Sequence, residues 1–414
     1  MVKSWGRLHL SEVLQPAVDL AERGFPVSPI TAHFWKSGED QLRLGPHAEE
    51  LLLNGHAPKV GAVFQNAALG SVLRELGEQG AQAFYTGRVG EAIVEVVQAA
   101  GGCMTMEDLA AHATELPEPC SVEYHGVRLF EVPPNGQGIT ALLALSLLDG
   151  MGVSEMEYGS AEYFHTLIET MRLAFADTRW FVADPQFGHV PVSELLSPAY
   201  AEERRKLFDP HQASVDVQKG CPVTGSDTVS FQVVDGEGNA VSFVNSNYMG
   251  FGSGLIPRGC GFTLQNRGAG FSLLEGHPNV LAPGKRPYHT IIPALALKES
   301  ELFATFTVMG GFMQPQGHVQ MLLNLVDFGM CPQRCLDMPR FCIADGSSDG
   351  AVAIEDGVPD EVIAKLRAMG HTIVRVSGHE RAVCGRGQII LRNPQNGVLS
   401  AGSDGRADGM ALGW

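Results

Sequence analysis

A threonine stands at the junction between a short polar run and an apolar segment with a strand-like pattern. It is Thr228, within residues 225–235, GSDTVSFQVVD. A hydroxyl becomes a nucleophile only beside a base, and the nearest base is its own α-amino group, which cleavage of the Asp227–Thr228 bond would free. The alternative is structural, because Ser and Thr commonly begin strands through β-propensity and turn formation. Spacing alone leaves both interpretations open.

The residues after Thr228 predict a β-hairpin. Residues 233–243, VVDGEGNAVSF, place a Gly/Asn turn between two strand patterns. A calcium loop is the rival interpretation, and it needs a longer ladder of acidic ligands than Asp235 and Glu237 provide. The sequence after this hairpin is rich in glycine, and glycines let the backbone approach a ligand closely. The stretches are GFGSG at 250–254, GFTLQNRGAGF at 261–271, GKRP at 284–287 and MGGF at 309–312.

The order of these motifs resembles the γ-glutamyltransferase family, also called gamma-glutamyltranspeptidases or glutathione hydrolase-like proenzymes. The resemblance extends upstream through LAERGFPV at 20–27, AFYTG at 83–87, MEDLA at 106–110, PPNGQG at 133–138, AFAD at 174–177 and ADP at 183–185. It covers essentially the whole chain. The version QNRGAGF at 265–271 is similar to the cephalosporin acylase-like branch of the family.

The resemblance implies an α+β fold, a four-layer αββα sandwich of the N-terminal-nucleophile hydrolase type. It implies a precursor that cuts itself between Asp227 and Thr228 into two associating segments, 1–227 and 228–414. The substrate would be a small γ-glutamyl or dicarboxylic acyl amide, hydrolysed through an acyl-enzyme, and no cofactor is implied. Ser246 occupies the position of the family's hydroxyl residue that orients the nucleophile. The backbone N–H groups of the oxyanion hole are assigned to Met313 and Gln314.

The substrate site is where the chain departs from the family pattern. Tyr248, Arg267 and Gly270 stand where typical members hold the α-amino group of a γ-glutamyl moiety. The fork of Arg267 repels an ammonium and suits a carboxylate, which favours a glutaryl-like acyl donor. The alternative for Arg267 is an exposed or ion-paired arginine. His289 and Thr290 replace a serine pair, and a protonated His289 would bind an anion while Thr290 donates a hydrogen bond.

Two further alternatives remain open. Family precursors have a stretch before the segment that matches residues 10–29, with sheet strands and a substrate-binding arginine, and we expect this chain to lack it. Unpaired sheet edges would follow, so the second hypothesis is a truncated member without turnover or with an interaction role. A hydrolase based on a carboxylate or a cysteine would use Asp177, Asp184 or Cys260, but no sequence pattern pairs these residues.

Composition agrees with a globular enzyme. Of the 414 residues, 44% are hydrophobic and 18% are charged, and the formal charge of −17 disfavours nucleic acid and anionic membranes as partners. The longest apolar run, at 139–148, is too short to span a bilayer, and no secretion signal is seen at the start, so a cytoplasmic location is favoured. The cluster of Cys331, Cys335 and Cys342 lacks paired metal-ligand spacing, and idle thiols are favoured over a metal site.

Apolar periodicity predicts mostly helices before Thr228 and mostly strands after it. Predicted helices cover 10–23, 66–79, 90–100, 106–113, 138–150, 161–181, 317–328 and 360–369. Predicted strands cover 121–131, 228–235, 240–247, 294–298, 302–308, 372–377, 387–392 and 397–401.

Overall fold

The chain forms two compact units in a computed structural model. The structure describes residues 1–214, 227–347 and 350–414. Unit 1 comprises Met1–Leu116 with Met249–Asn266, and unit 2 comprises Pro117–Tyr248 with Arg267–Trp414. Each unit therefore takes residues from both sides of Thr228. The division into 1–227 and 228–414 concerns a covalent cut and stays a prediction.

Unit 1 is largely helical. The helices at Leu10–Arg23 and Ala67–Gln79 pack against each other, and Val18 and Ala21 on the first and Val72 on the second are buried. The Asn66 side chain accepts a hydrogen bond from the N–H of Leu69 and so caps the second of these helices. The elements are α1 (Val2–Trp5), α2 (Leu10–Arg23), β1 (Phe25–Pro26), α3 (Pro29–Ser37), α4 (Glu39–Leu44), β2 (Val63–Phe64), α5 (Ala67–Gln79), α6 (Ala81–Thr86), α7 (Arg88–Ala99) and α8 (Met106–Ala110).

Unit 2 is built on an antiparallel sheet whose described strands lie in the order β13-β12-β8-β7-β4-β3. Strands β3 and β4 precede Thr228 in the chain, and the other strands of this sheet follow it. A smaller sheet has the order β11-β10-β9. The strands are β3 (Cys120–Tyr124), β4 (Val127–Glu131), β5 (Asp227–Val234), β6 (Ala240–Tyr248), β7 (Ala294–Lys298), β8 (Glu301–Met309), β9 (Phe341–Ile343), β10 (Val352–Glu355), β11 (Ile373–Val376), β12 (Arg386–Arg392) and β13 (Leu399–Ser403).

Helices of unit 2 form its main hydrophobic core with this sheet. The first of them, α9, is apolar on all sides and almost entirely buried, which is typical of an interior helix. No helix of the described residues has the length and hydropathy needed to cross a bilayer. The helices are α9 (Gly138–Leu148), α10 (Ala161–Phe181), α11 (Val192–Leu195), α12 (Pro198–Arg205), α13 (Met313–Val326), α14 (Pro332–Asp337) and α15 (Asp360–Ala368).

Strands β5 and β6 form the predicted hairpin, and one face of it packs against β8. The hydroxyl of Thr305 donates to Oε1 of Gln232 at 2.7 Å, and the hydroxyls of Ser242 and Thr307 lie 3.0 Å apart. The Asp235 carboxylate accepts from the N–H groups of Glu237 and Asn239, so it closes the hairpin turn as the hairpin interpretation requires.

The opposite face of the hairpin carries apolar side chains. Val229 is 68% exposed and Phe231 is 49% exposed, and the Phe231 ring stacks on Phe243 within the hairpin. The fold is therefore a mixed arrangement of helices and sheets, and the full four-layer order stays a prediction.

Most predicted elements are confirmed, several of them to the residue. The segment 121–131 is a correction, because positive φ angles at His125 and Gly126 break it into the hairpin β3–β4. The helix predicted at 317–328 begins earlier, at Met313. Strands β9 and β10 were missed because they are short and continuously buried, without the alternation that identifies a strand.

Helix α13 lies unusually close to β8 at Gly317. A Cβ atom built on Gly317 would lie 2.5 Å from Cβ, 2.6 Å from Cγ1 and 2.9 Å from Cγ2 of Val308, and Val308→Ala removes the two Cγ atoms. We expect Gly317→Ala to lower the free energy of unfolding by about 1–3 kcal/mol, although Ala favours helices over Gly. Urea unfolding of the parent, Gly317→Ala, Val308→Ala and the double variant measures these free energies. The double variant is expected to lose less unfolding free energy than the two single variants lose together, because the alanine at 308 makes room for the one at 317. Strictly additive losses would contradict this.

Candidate active site

Thr228 and Ser246 face each other across the β5–β6 hairpin. The hydroxyl of Thr228 donates to Oγ of Ser246 at 2.8 Å, and Ser246 Oγ also accepts from the N–H of Tyr248 at 2.9 Å. Thr228 is 3% exposed. The hydrogen bond that the sequence predicts between these hydroxyls is present, and the catalytic role of the pair stays a prediction.

The Asp227–Thr228 peptide bond lies at an irregularity of the hairpin. Asp227 pairs with Tyr248, whereas Thr228 pairs with Ser246, so Asn247 is the extra residue of a β-bulge. Bulges bend a strand and re-aim its side chains, and they are over-represented next to active sites. The bond that the sequence marks for cleavage thus lies where the strand pairing changes register.

Arg267 is a buried cation beside this hairpin. It is 4% exposed, and its guanidinium carbon lies 4.5 Å from the centre of the Tyr248 ring. Nη1 donates to the hydroxyl of Thr290 at 2.5 Å. Among the described residues, Nε and Nη2 have no hydrogen-bond acceptor. Burial lowers the pKa of Arg267 to about 10, so the side chain still carries its charge at neutral pH.

His289 has a strongly lowered pKa in this environment. Burial, together with the charge of Arg267, lowers the pKa of His289 to about 3. Nδ1 lies 3.2 Å from the N–H of Ile291 and accepts from it, so the neutral ring carries its proton on Nε2. The sequence gives His289 an anion-binding role only when the ring is protonated, and this pKa leaves the ring neutral at neutral pH, while its place in the substrate site stays a prediction. At neutral pH this ring offers one neutral N–H donor.

The turn before α13 already uses the backbone N–H groups that the sequence assigns to the oxyanion hole. The N–H of Met313 donates to Gly310 O at 2.9 Å, and the N–H of Gln314 donates to Gly311 O at 3.3 Å. These groups are engaged within the turn, so this geometry disfavours Met313 and Gln314 as oxyanion donors. Among the described residues, the N–H groups of Gly310 and Gly311 have no backbone acceptor. Both glycines have positive φ, at 138° and 58°, a conformation that side chains disfavour.

Sequence reasoning missed Gln137. Its side chain is completely buried, and Nε2 donates to Thr290 O at 2.7 Å and to Gly311 O at 2.8 Å. It thereby connects the segment of Thr290 with the glycine turn at Gly310 and Gly311. The signal was the PPNGQG motif at 133–138, where one glutamine stands among Pro, Asn and Gly residues. The motif marks Gln137 as a candidate but not its contacts, because its partners lie 153 and 174 positions away in the sequence.

The rival nucleophiles and bases are engaged elsewhere. Asp177 forms an ion pair with Arg204 at 3.0 Å. Asp184 accepts from the N–H groups of Gln186 and Arg286 and holds a turn. Burial raises the pKa of Cys260, which keeps it a thiol. None of the three has the base or nucleophile partner that these hypotheses require among the described residues.

One group of side chains has metal-ligand types. His165, Glu169 and His371 each place one ligand atom within 4.8 Å of the others, and all are buried. The two rings hydrogen-bond to each other at 2.7 Å, and Nε of Arg172 lies 3.6 Å from the Glu169 carboxylate. That guanidinium already balances the carboxylate and opposes a second cation, so the cluster fits a polar network better than a metal centre.

The predicted cysteine cluster offers poor ligands. Cys331 is exposed, while Cys335 and Cys342 are buried as free thiols. Burial raises the pKa of Cys335 to about 12 and also raises that of Cys342. Metals bind the thiolate, so these values fit idle thiols.

Comparison with known proteins identifies the family of the chain. The family model described as Gamma-glutamyltranspeptidase matches residues 1–414. The chain is 36% identical to the Glutathione hydrolase-like YwrD proenzyme of Bacillus subtilis (strain 168), covering 100% of this chain and 78% of that protein. It is 33% identical to the Oxamate amidohydrolase proenzyme of Klebsiella pneumoniae subsp. pneumoniae, covering 98% of this chain and 76% of that protein.

A solved structure extends the comparison to the fold. The cephalosporin acylase from Bacillus halodurans superposes with a TM-score of 0.90 at 40% identity, over 100% of this chain and 76% of that one. The relatives are named as hydrolase and acylase proenzymes, which agrees with an amide hydrolase. The chain therefore belongs to the gamma-glutamyltranspeptidase family.

Proposed function

We propose that this protein is a self-processing amide hydrolase whose nucleophile is Thr228. In the precursor, Oγ1 of Thr228 attacks the carbonyl carbon of Asp227. The C–N bond between the two residues breaks, the nitrogen takes the hydroxyl proton, and an ester links Asp227 to Thr228 Oγ1. Water hydrolyses this ester and leaves Thr228 with a free α-amino group. The buried Thr228–Ser246 hydrogen bond at the bulge is the observation that carries this proposal.

In the mature enzyme the α-amine of Thr228 is the general base. It takes the hydroxyl proton as Oγ1 attacks the substrate amide, and it returns the proton to the leaving amine. Water then hydrolyses the acyl-enzyme. We assign the developing oxyanion to the N–H groups of Gly310 and Gly311, which lack backbone acceptors among the described residues. Ser246 accepts a hydrogen bond from the Thr228 hydroxyl and orients it.

The acyl donor carries a carboxylate that binds Arg267. A buried guanidinium without an anionic partner is costly, and its unsatisfied N–H groups suit a carboxylate. The neutral His289 and Thr290 add uncharged hydrogen-bonding groups. A relative named for oxamate, the monoamide of oxalic acid, supports a substrate with an amide and a carboxylate. Glutaryl amides are preferred over γ-glutamyl amides, because Arg267 repels the α-ammonium of the latter.

Two segments stay associated after the cut. Strand β4, from the first segment, pairs with β7, from the second, within one sheet. The segments therefore share backbone hydrogen bonds that a cut after residue 227 leaves intact.

Hydrolysis is preferred over transfer, because the groups that hold an α-amino group in typical family members are replaced here by Tyr248, Arg267 and Gly270.

Self-cleavage is the first test of the nucleophile. We expect intact-mass analysis of the purified parent protein to show two chains, the second beginning at Thr228, and Thr228→Ala to show one uncut chain. Thr228→Ser keeps a hydroxyl and is expected to cleave more slowly. Ser246→Ala removes the acceptor of the nucleophile's hydrogen bond, and the expected slowing is on the order of 10²-fold. A parent chain that stays uncut would overturn the proposal and favour a protein without turnover.

Arg267 is tested by matched substrates. Against glutaryl anilide, kcat/KM of Arg267→Met is expected to fall on the order of 10²-fold or more relative to the parent, because the carboxylate loses its partner. Against butyryl anilide, which has the same acyl chain without the carboxylate, the loss is expected to be within about threefold. Equal losses on both anilides would contradict a carboxylate-binding role.

The thermal stability of Arg267→Met is a second test of the state of Arg267. Removing a buried charge that has no carboxylate partner among the described residues is expected to leave Tm unchanged or raised. Arg340→Met is the matched control, because Arg340 is equally buried but forms an ion pair with Asp404 and donates to the carbonyl of Cys384. We expect Arg340→Met to lose about 3–5 kcal/mol of unfolding free energy. A Tm loss in Arg267→Met as large as in Arg340→Met would contradict the unpaired state of Arg267.

The neutral state of His289 has a testable pH dependence. Its pKa is about 3 in the folded protein, below the ordinary value of 6.5, so unfolding binds a proton as the pH falls from 6.5 towards 3. Its stabilising contribution is therefore present above pH 6.5 and lost with acid. Urea unfolding at pH 7 and pH 5 is expected to show a weaker acid effect in His289→Asn than in the parent. Identical pH slopes would contradict a depressed pKa.

A further inference from the structure

Gln137 uses every polar atom of its side chain on residues around the candidate active site. Nε2 donates to Thr290 O and Gly311 O, and Oε1 accepts from the Tyr288 hydroxyl at 3.2 Å. Its backbone N–H donates to His289 O at 2.9 Å. A buried side chain satisfied in this way holds one conformation, because losing any of these bonds leaves a buried polar atom unpaired.

The two carbonyls that Gln137 holds belong to functionally different segments. Thr290 accepts the hydrogen bond of Arg267, so this segment carries the carboxylate-binding group. Gly311 belongs to the turn that we assign to the oxyanion. A turn with two consecutive positive-φ glycines has little intrinsic conformational preference, so an external contact must select its geometry. Both carbonyl oxygens bind one nitrogen, and this nitrogen fixes their separation.

We propose that Gln137 is a positioning residue that sets the length of the acyl group the enzyme hydrolyses. It fixes the distance between the glycine turn, where the reacting carbonyl binds, and the Arg267–Thr290 pair, where the distal carboxylate binds. An acyl chain of matching length places both groups correctly, and a shorter or longer chain misplaces the carbonyl. The inference rests on the proposed function and adds the residue that determines selectivity within it.

A purely structural role is the competing explanation, and the chain supplies a matched control for it. Gln320 on α13 is also buried, and its Nε2 donates to two backbone carbonyls, those of Gln316 at 3.0 Å and Phe341 at 3.2 Å. Its Oε1 accepts from the N–H of Phe341. Gln320→Met therefore removes a comparable set of buried bonds without touching Thr290 or the glycine turn.

The experiment compares selectivity, which general destabilisation does not change. The kcat/KM of the parent, Gln137→Met and Gln320→Met is measured on anilides of oxalic, malonic, succinic and glutaric acid. We expect the parent to favour one length, and we expect Gln137→Met to reduce the ratio between the best and the next substrate on the order of tenfold. Gln320→Met is expected to keep that ratio within about twofold while losing Tm.

Gln137→Glu replaces Gln137→Met in this experiment if the methionine variant does not fold. It retains the side-chain length and the acceptor for Tyr288 and replaces only the donating amide, and the same loss of selectivity is expected. An unchanged ratio in folded Gln137 variants of an active parent, or an equal change in Gln320→Met, would overturn the inference alone. A parent that neither cleaves itself nor hydrolyses any of the four anilides would overturn the proposed function and this inference together.

Discussion

The pairing of β4, β7 and β8 is the constraint on which the candidate active site depends. The three strands are neighbours and antiparallel, so the end of β4, the start of β7 and the end of β8 meet at one edge of the sheet. Gln137 follows β4, Thr290 precedes β7 and Gly311 follows β8. Residues more than 150 positions apart in sequence therefore come within hydrogen-bond distance because the backbone ladder aligns their strands.

The charge at this edge of the sheet is positive and is not neutralised by a described carboxylate. Arg267 is charged and buried, His289 is neutral, and the structure pairs no carboxylate with the guanidinium among the described residues. Elsewhere in unit 2 the chain neutralises buried arginines, as with Arg340 and Arg406, both of which bind Asp404. The contrast matters because a buried charge with no carboxylate partner among the described residues lowers stability unless a ligand supplies the counter-ion. The anionic acyl group that we propose as substrate would supply this counter-ion and fits the Nε and Nη2 donors of Arg267.

Sequence patterns predicted the parts of this site that depend on local structure. The hairpin turn sets the register of β5 and β6, and this register brings Thr228 opposite Ser246. Helices such as α2 and α10 were predicted to the residue, because long periodic segments carry their own signal. Long-range features were not predicted. The partners of Gln137, the engaged N–H groups of Met313 and Gln314, and the neutral state of His289 all depend on which strands are neighbours and how deeply each group is buried.

The position of the proposed cut follows from the same hairpin. From Thr228 onward, β5 is paired with β6 in regular register, and only Asp227 lies beyond the bulge. Breaking the Asp227–Thr228 bond therefore costs the hairpin one pair and leaves Thr228 anchored by its ladder and by Ser246. The new α-amino group then lies on the residue whose hydroxyl it must deprotonate. A cut one or two residues later would separate paired residues of β5 from the hairpin. A cut earlier in the chain would leave the free amine on a residue other than Thr228. The position of Thr228 therefore determines the nucleophile, the base and the cleavage point together.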